Sequence, residues 1–313
     1  MVRKLVLESP ARIHFGLVNP FNRNYRLYVS AGVTIEEPKT VVVVDVDKPL
    51  HIEGCREEEV EKRLKPVIEE FGLTRGYVRI ESCIPKHVGL GSTTQLLLTT
   101  VHALLIANNI LGVNLVNIAE KLQIGKVSGV GTYAYMYGGF VVDSGKTSER
   151  EFPKLLLRLP FPEEWRFVVV IPRGRGLDEK KEAEIFERGA DAPIELVWQA
   201  SFTLFHELVP SLLDGDFDRF AKALGRLQEV VGSMFSKYQG GVYASYSQTA
   251  VEALRRAGAL GVGQSSWGPT VYAVTRSHEE ALGVYAKVKE YLREAEVFIA
   301  KPRNTGVRIR VVV

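Results

Sequence analysis

The sequence predicts an α+β protein built as two lobes. Strand-like segments crowd the chain ahead of Glu57, helical and strand patterns intermix after it, and polar residues cluster between apolar stretches at Gly145–Pro153. A length of 313 residues is enough for two domains at roughly 150 residues each. Residues 1–150 and 151–313 are therefore read as the two lobes.

In chain order, Val2–Leu7 and Ala11–Gly16 read as strands, the second carrying Arg12 and His14. Gly32–Glu37 alternates apolar and polar residues as a half-buried strand should, and Thr40–Val46 is short and β-branched. Glu57–Phe71 repeats apolar residues at helical spacing, with Gly72 placed to close the helix. Tyr77–Ser82 alternates again. Pro85–Gln95 follows, rich in glycine and hydroxyl residues, and leads into an apolar helix ending near Asn109. Leu115–Leu122 reads as a short helix and Gly138–Asp143 as a strand, while Tyr133, Tyr135 and Tyr137 alternate as on one face of a strand. In the second lobe, Arg166–Pro172 is a strand with a buried centre and Asp178–Arg188 a charged helix. Glu195–Leu208, Phe217–Val231 and Ser247–Arg256 read as helices, and Gly261–Thr275 as a glycine-rich turn entering a strand. His278–Ala295 is a helix and Val307–Val313 a final strand.

Composition narrows the function. Hydrophobic residues at 46% and charged residues at 25% fit a globular protein rather than a disordered one. A net charge of +3 is too mild for a nucleic-acid binder, and no basic block is interleaved with aromatics. Cys55 and Cys83 are the only cysteines, too few for a secreted disulfide framework or a CxxC metal site. His51, His102, His206 and His278 share no zinc-ligand spacing. Met1–Pro10 lacks a signal-peptide core, and the longest apolar run, Leu96–Ile110, is interrupted by Thr99, Thr100, His102 and Asn108. The expectation is a cytoplasmic protein without membrane or nucleic-acid partners.

Gly89-Leu-Gly91-Ser-Thr-Thr94 carries the strongest chemical signal. Glycines let the backbone turn tightly and bring its amides against an anion, and the helix that follows offers unpaired N–H groups at the positive end of its dipole. Ser92, Thr93 and Thr94 suit helix capping, donation to phosphate oxygens, or contact with Mg²⁺. The plainer alternative is a helix cap after a glycine turn. No lysine follows the second glycine, which excludes a P-loop, and the third glycine of a dinucleotide fingerprint is absent.

Three segments resemble the motifs of the GHMP kinases, the group of galactokinase, homoserine kinase and mevalonate kinase. Pro85-Lys-His-Val-Gly-Leu-Gly-Ser-Thr93 is similar to the second motif. Ala11-Arg-Ile-His-Phe-Gly-Leu17 stands in the place of the first, and Gly261-Val-Gly-Gln-Ser-Ser-Trp-Gly-Pro-Thr270 in that of the third. The resemblance covers nearly the whole chain. It implies a two-lobed GHMP-kinase-like fold, with a ribosomal protein S5 domain 2-like N-terminal lobe and a ferredoxin-like C-terminal lobe. Within the group, Arg12-Ile-His-Phe-Gly16, Gly89-Leu-Gly-Ser-Thr-Thr-Gln95 and Gly263-Gln-Ser-Ser-Trp-Gly-Pro-Thr270 resemble the archaeal β-ribofuranosylaminobenzene 5′-phosphate synthase family. That resemblance implies a transferase of methanopterin biosynthesis. It would join phosphoribosyl pyrophosphate to 4-aminobenzoate or 4-hydroxybenzoate and release CO₂ and pyrophosphate. It also points to Mg²⁺ as cofactor, small-molecule substrates and a homodimer. Many GHMP kinases place a basic aspartate after their Gly-Lys-x-Ser-Gly segment, whereas Gly125-Lys-Val-Ser-Gly-Val-Gly131 has glycine there. This weighs against the alternative activity, an ATP-dependent small-molecule kinase.

Candidate site residues follow. Arg12 suits a bidentate grip on carboxylate or phosphate, and His14, two positions along the same strand, faces the same way. With Gln264 and Ser265 they form the expected catalytic set. Lys86, His87, Gly89, Gly91, Ser92, Thr93, Thr94 and Gln95 form the phosphate-binding stretch, with Ser92 and Thr93 as metal contacts. Arg173 and Arg175, flanked by glycine, suit a 5-phosphate or carboxylate, or else a solvated turn. Ser266 and Trp267 are expected to bind substrate, Trp267 either stacking on an aromatic acceptor or anchoring its loop in the core. Lys126 and Ser128 either face the site or sit in a plain turn.

Overall fold

The computed structural model describes residues 4–148, 151–173, 179–189 and 192–312. β1 (Lys4–Leu17) runs unbroken through Pro10, where two strands were expected, because bulges at Pro10/Ala11 and His14/Gly16 absorb the irregularity. β2 (Ser30–Pro49) likewise joins two expected strands into one of 20 residues. With β3 (His51–Gly54), β4 (Arg75–Ser82), β5 (Phe140–Asp143) and β6 (Leu155–Leu159) these form one sheet, completed by the last strand of the chain, Arg308–Val312. β2 is its spine, antiparallel to β1, β4 and β5.

Helices α1 (Glu57–Phe71), α2 (Ser92–Ala107), α3 (Leu115–Lys121) and α4 (Val130–Tyr137) belong to the same lobe. Nearly every side of α2 is buried, as its all-round apolar sequence requires. The tyrosine alternation read as a strand is in fact α4. Over so short a run, period two and helical spacing are hard to separate. Tyr133 and Tyr137 stack one turn apart at 6.4 Å, while Tyr135 turns into the core, its hydroxyl 3.0 Å from His102 Nδ1.

Cys55 and Cys83 are joined by a disulfide that ties the end of β3 to the segment entering the glycine loop. Two cysteines 28 residues apart carried no pairing signal in the sequence. Closing a loop of that length constrains the unfolded chain by about 3–4 kcal/mol. Cys55→Ser is therefore expected to lower unfolding free energy by about 3 kcal/mol, measured as a denaturant midpoint against oxidised wild type. An unchanged midpoint would show that the bridge adds nothing to stability.

The second lobe contains β7 (Arg166–Ile171), α5 (Glu179–Arg188), α6 (Ile194–Phe202), α7 (Val209–Leu213), α8 (Phe217–Gln239), α9 (Ser245–Arg256), β8 (Leu260–Gln264), β9 (Val271–Thr275), α10 (His278–Tyr291) and β10 (Glu296–Ala300). A π-helical stretch, Thr203–Leu208, joins α6 to α7. The sheet order β10-β7-β9-β8, all antiparallel, is the ferredoxin-like arrangement. Along β7, Phe167 and Val169 face the core shared with the first lobe, and Val168 and Val170 face the layer of α9 and α10. The lobes do not part at residue 150: β6 and the final strand both lie in the first sheet. A common core joins them, with Phe15 packed 6.0 Å from Phe140 and 5.6 Å from Tyr272. Among the described residues, no helix is long and apolar enough to cross a membrane.

Candidate active site

Between the lobes lies a cavity of about 670 Å³. Arg12, His14, Thr94, Ser128 and Gly131 line it from the first lobe, and Phe235, Gln264 and Trp267 from the second. A depression of about 180 Å³ over the glycine loop shares Arg12, Thr93, Thr94, Glu182, Ser266 and Trp267 with it.

The loop is held by its carbonyls. Leu90 O accepts from Arg12 N at 3.2 Å and Val88 O from Thr270 N at 3.2 Å. Gly89 O accepts from both Ser265 Oγ and Arg12 Nη1. Gly89 and Gly91 take the left-handed backbone, at φ 86 and 84, that turns the next amides outward. No side chain caps α2, and Gln95 N is its first amide to donate, to Gly91 O. Among the described residues no acceptor meets the amides of Gly91–Thr94. Uncapped donors at the start of a 16-residue helix are of the kind that suits an anion.

Arg12 is half-buried, and its Nε, shielded from solvent, has no partner. Burial lowers its pKa to about 10 against the pull of Glu182, so it stays charged at neutral pH. His14 is held well below its usual range by burial and by Arg12, and is neutral. Its Nδ1 accepts from Gly16 N at 3.0 Å, which places its proton on Nε2, 3.0 Å from Ser128 Oγ. Ser128 Oγ lies 2.7 Å from Ser30 Oγ, which donates to Asp143 Oδ2 at 2.5 Å. Burial pushes Asp143 up to about 6 although Ser30, the Gly145 and Gly129 amides and Ser128 all hydrogen-bond to it.

The structure brings His87, Gly89, Gly91, Ser92, Thr93, Thr94, Ser266 and Trp267 to the depression, as expected of a single site. Trp267 anchors its loop, as the plainer of its two alternatives expects, packing edge-on against Phe235 at 4.9 Å, and it also lines the cavity. Other expectations need correcting. Ser265 is fully buried: its hydroxyl takes His14 N–H at 2.9 Å and donates to Gly89 O, so it clamps β1 to the loop rather than meeting substrate. Gln264 borders the cavity, but its amide is spent on Ala244 N, Gln239 Oε1 and Ser266 O. Gln95 is buried and donates to Gly131 O at 2.9 Å. Lys86 turns away to Glu59 at 2.6 Å, and Arg173 to Glu294 at 3.0 Å in a solvated ion pair. Arg175 lies outside the described residues. Thr93 Oγ1 accepts from Arg56 Nη2 at 3.0 Å, and a guanidinium there opposes a metal ion.

Several lining residues escaped the sequence reading, among them Arg23, Tyr28, Lys146, Glu182 and Phe186. Lys146 is buried, with Nζ 5.6 Å from the Tyr28 ring centre, although its segment had been read only as a lobe boundary. No local spacing marks these positions. Among the described residues, no group of three His, Cys, Asp or Glu could hold a metal alone. Ser92 and Glu182 border the depression together, a partial set of the kind Mg²⁺ accepts when substrate phosphates supply the rest.

Residues 58–139 match the GHMP kinases N terminal domain and residues 208–294 the GHMP kinases C terminal domain. The chain is 30% identical to a β-ribofuranosylphenol 5′-phosphate synthase of Archaeoglobus fulgidus, over 98% of this chain and 100% of the relative. It is 27% identical to the protein of that name from Methanothermobacter thermautotrophicus, over 98% of both. Homoserine kinase from Cytophaga hutchinsonii has the same fold, with a TM-score of 0.71 at 18% identity over 98% of this chain and 97% of that one.

Proposed function

Since the chain belongs to the GHMP kinase superfamily and, within it, to the family of the β-ribofuranosylphenol 5′-phosphate synthases, we propose that it transfers a phosphoribosyl group to an aromatic acid with loss of CO₂, in methanopterin biosynthesis. The donor is phosphoribosyl pyrophosphate. The relatives are named for a phenol product, which favours 4-hydroxybenzoate over 4-aminobenzoate as acceptor. The observation that carries this reading is a helix start open to an anion, joined to an aromatic-walled cavity in which Gly131 replaces the kinase base.

As the bond from ribose C1 to pyrophosphate breaks, negative charge grows on the leaving group. The unpartnered amides of Gly91–Thr94 and the half-buried Arg12 guanidinium border the same depression, so stabilising that charge would need little reorganisation. Mg²⁺, held by Ser92, Glu182 and the diphosphate oxygens, would neutralise part of that charge. Arg23, Lys126 and Lys146 add positive charge along the cavity, suited to the ribose 5-phosphate. Tyr28, Phe235 and Trp267 provide aromatic surface for the acceptor. The carbon bearing the carboxylate attacks C1, and loss of CO₂ restores the aromatic ring. Holding the two reactants face to face is the protein's main contribution to this step.

Incubation with phosphoribosyl pyrophosphate, Mg²⁺ and carboxyl-labelled 4-hydroxybenzoate is expected to release labelled CO₂ and pyrophosphate in equal amounts. Retention of all the label, with ATP consumed in the presence of an alcohol, would replace this function with a kinase.

A further inference from the structure

We propose that Ser128, Ser30 and Asp143 form a proton wire that takes the proton of the acceptor's ring hydroxyl while the carbon–carbon bond forms and returns it after CO₂ leaves. The wire rests on the phosphoribosyl-transfer reading above and adds to it the route of a proton.

Its direction follows from the hydrogen bonds. Nδ1 of His14 is occupied by Gly16 N–H, so Nε2–H points at Ser128 Oγ. Ser128 Oγ also accepts Val130 N–H at 3.2 Å, the bond that an incoming hydroxyl displaces. Its own proton is left for Ser30 Oγ, 2.7 Å away, with Asp143 Oδ2 at 3.3 Å as a longer second acceptor, and the Ser30 proton goes to Asp143 Oδ2. Each donor in the chain points away from the cavity and toward the carboxylate, so a proton entering at Ser128 moves inward. Ser128 lines the cavity and Asp143 is buried behind it. The Gly129 and Gly145 amides anchor Asp143 at 2.8 and 2.9 Å. The titratable groups facing it are Tyr133 of α4, which acts on it through space, and His14 of β1, which reaches it through Ser128. Lys146, three residues further on, stands over the Tyr28 ring. A carboxylate held by neutral donors, and half-ionised near pH 6, is a proton acceptor in waiting.

The steps balance. The C1–O bond breaks and its electron pair leaves with pyrophosphate. A ring π pair forms the new C–C bond, and the hydroxyl proton passes to Ser128 as the Ser128 proton moves to Ser30 and the Ser30 proton to Asp143. A neutral dienone carrying the carboxylate remains. The bond to the carboxylate then breaks, CO₂ departs, and its electron pair returns to the ring as a phenolate, which recovers the proton from Asp143. An amino acceptor passes instead through an iminium ion, a much weaker acid than a protonated dienone, and depends far less on a base.

The test measures pyrophosphate release by wild type, Ser128→Ala and Asp143→Asn with each acceptor across pH. Ser128→Ala leaves Asp143 its contacts from Ser30, Gly129 and Gly145, so it serves should Asp143→Asn fail to fold. With 4-hydroxybenzoate, each variant is expected to lose about 10²-fold in kcat, and with 4-aminobenzoate a loss about tenfold smaller. Because the wire needs ionised Asp143, wild-type kcat with the hydroxy acceptor should fall as pH drops through about 6, a limb absent in both variants. Equal losses with both acceptors, or a limb that survives in the variants, would overturn the wire while leaving the transferase reading intact. Turnover of neither acceptor by wild type would overturn both.

Discussion

Arg12→Ala is expected to slow pyrophosphate release about 10²- to 10³-fold at saturating substrate. Two contributions are lost together. The guanidinium lines both the cavity and the loop depression, where it would meet the charge that grows on the leaving group. It also braces the loop through Gly89 O, and its main chain does the same through Leu90 O. Burial lowers its pKa only to about 10, so the positive charge persists across the working range. Since the contact strengthens as the bond breaks, the loss should appear in kcat more than in KM. Arg12→Lys keeps a charge but not the planar fork, and should recover only part of the rate. Wild-type kcat in Arg12→Ala would remove this residue from the mechanism.

Gly89→Ala should be nearly as damaging, through geometry rather than charge. A Cβ at position 89 would stand 2.3 Å from Ser265 O, a backbone atom of the adjoining turn, on a residue held at φ +86. Neither side can yield without separating the loop from the second lobe. A destabilisation of about 2–4 kcal/mol is expected, together with loss of diphosphate binding. Gly91→Ala makes the comparison, because there the new Cβ meets only the Arg12 side chain, at 3.2 Å. Its cost should be near that of the left-handed backbone, about 1 kcal/mol. Calorimetric unfolding and titration with pyrophosphate would rank the two. Equal effects would mean that the contact between loop and turn is not what seats the phosphate site.

How far the site was legible differs from residue to residue. Gly89, Gly91 and Ser92 could be placed together from the sequence because the turn that brings them to the depression lies in their own backbone. Ser265, expected in the catalytic set, and Gln95, expected in the phosphate-binding stretch, hold the fold instead. In the structure their polar atoms bind carbonyls of segments far along the chain, Gly89 O and Gly131 O. Thr93, expected as a metal contact, has its hydroxyl taken by Arg56, 37 residues earlier, a partner that no local spacing marks. Ser30 and Asp143 carry no local signal, because 113 residues separate partners that touch.

From the sequence alone came the α+β class, the phosphate loop and the alternation of β7, each a consequence of local steric preference or of side-chain period. The resemblance of its motifs added the two-lobed architecture and the family. Only the tertiary structure decided that Cys55 meets Cys83, that the N-terminal sheet reaches past residue 150 and recovers the last strand, and which way the hydrogen bonds run between His14 and Asp143. These depend on which distant groups packing brings within about 3 Å, the range in which a hydrogen bond forms, and no local pattern encodes that distance.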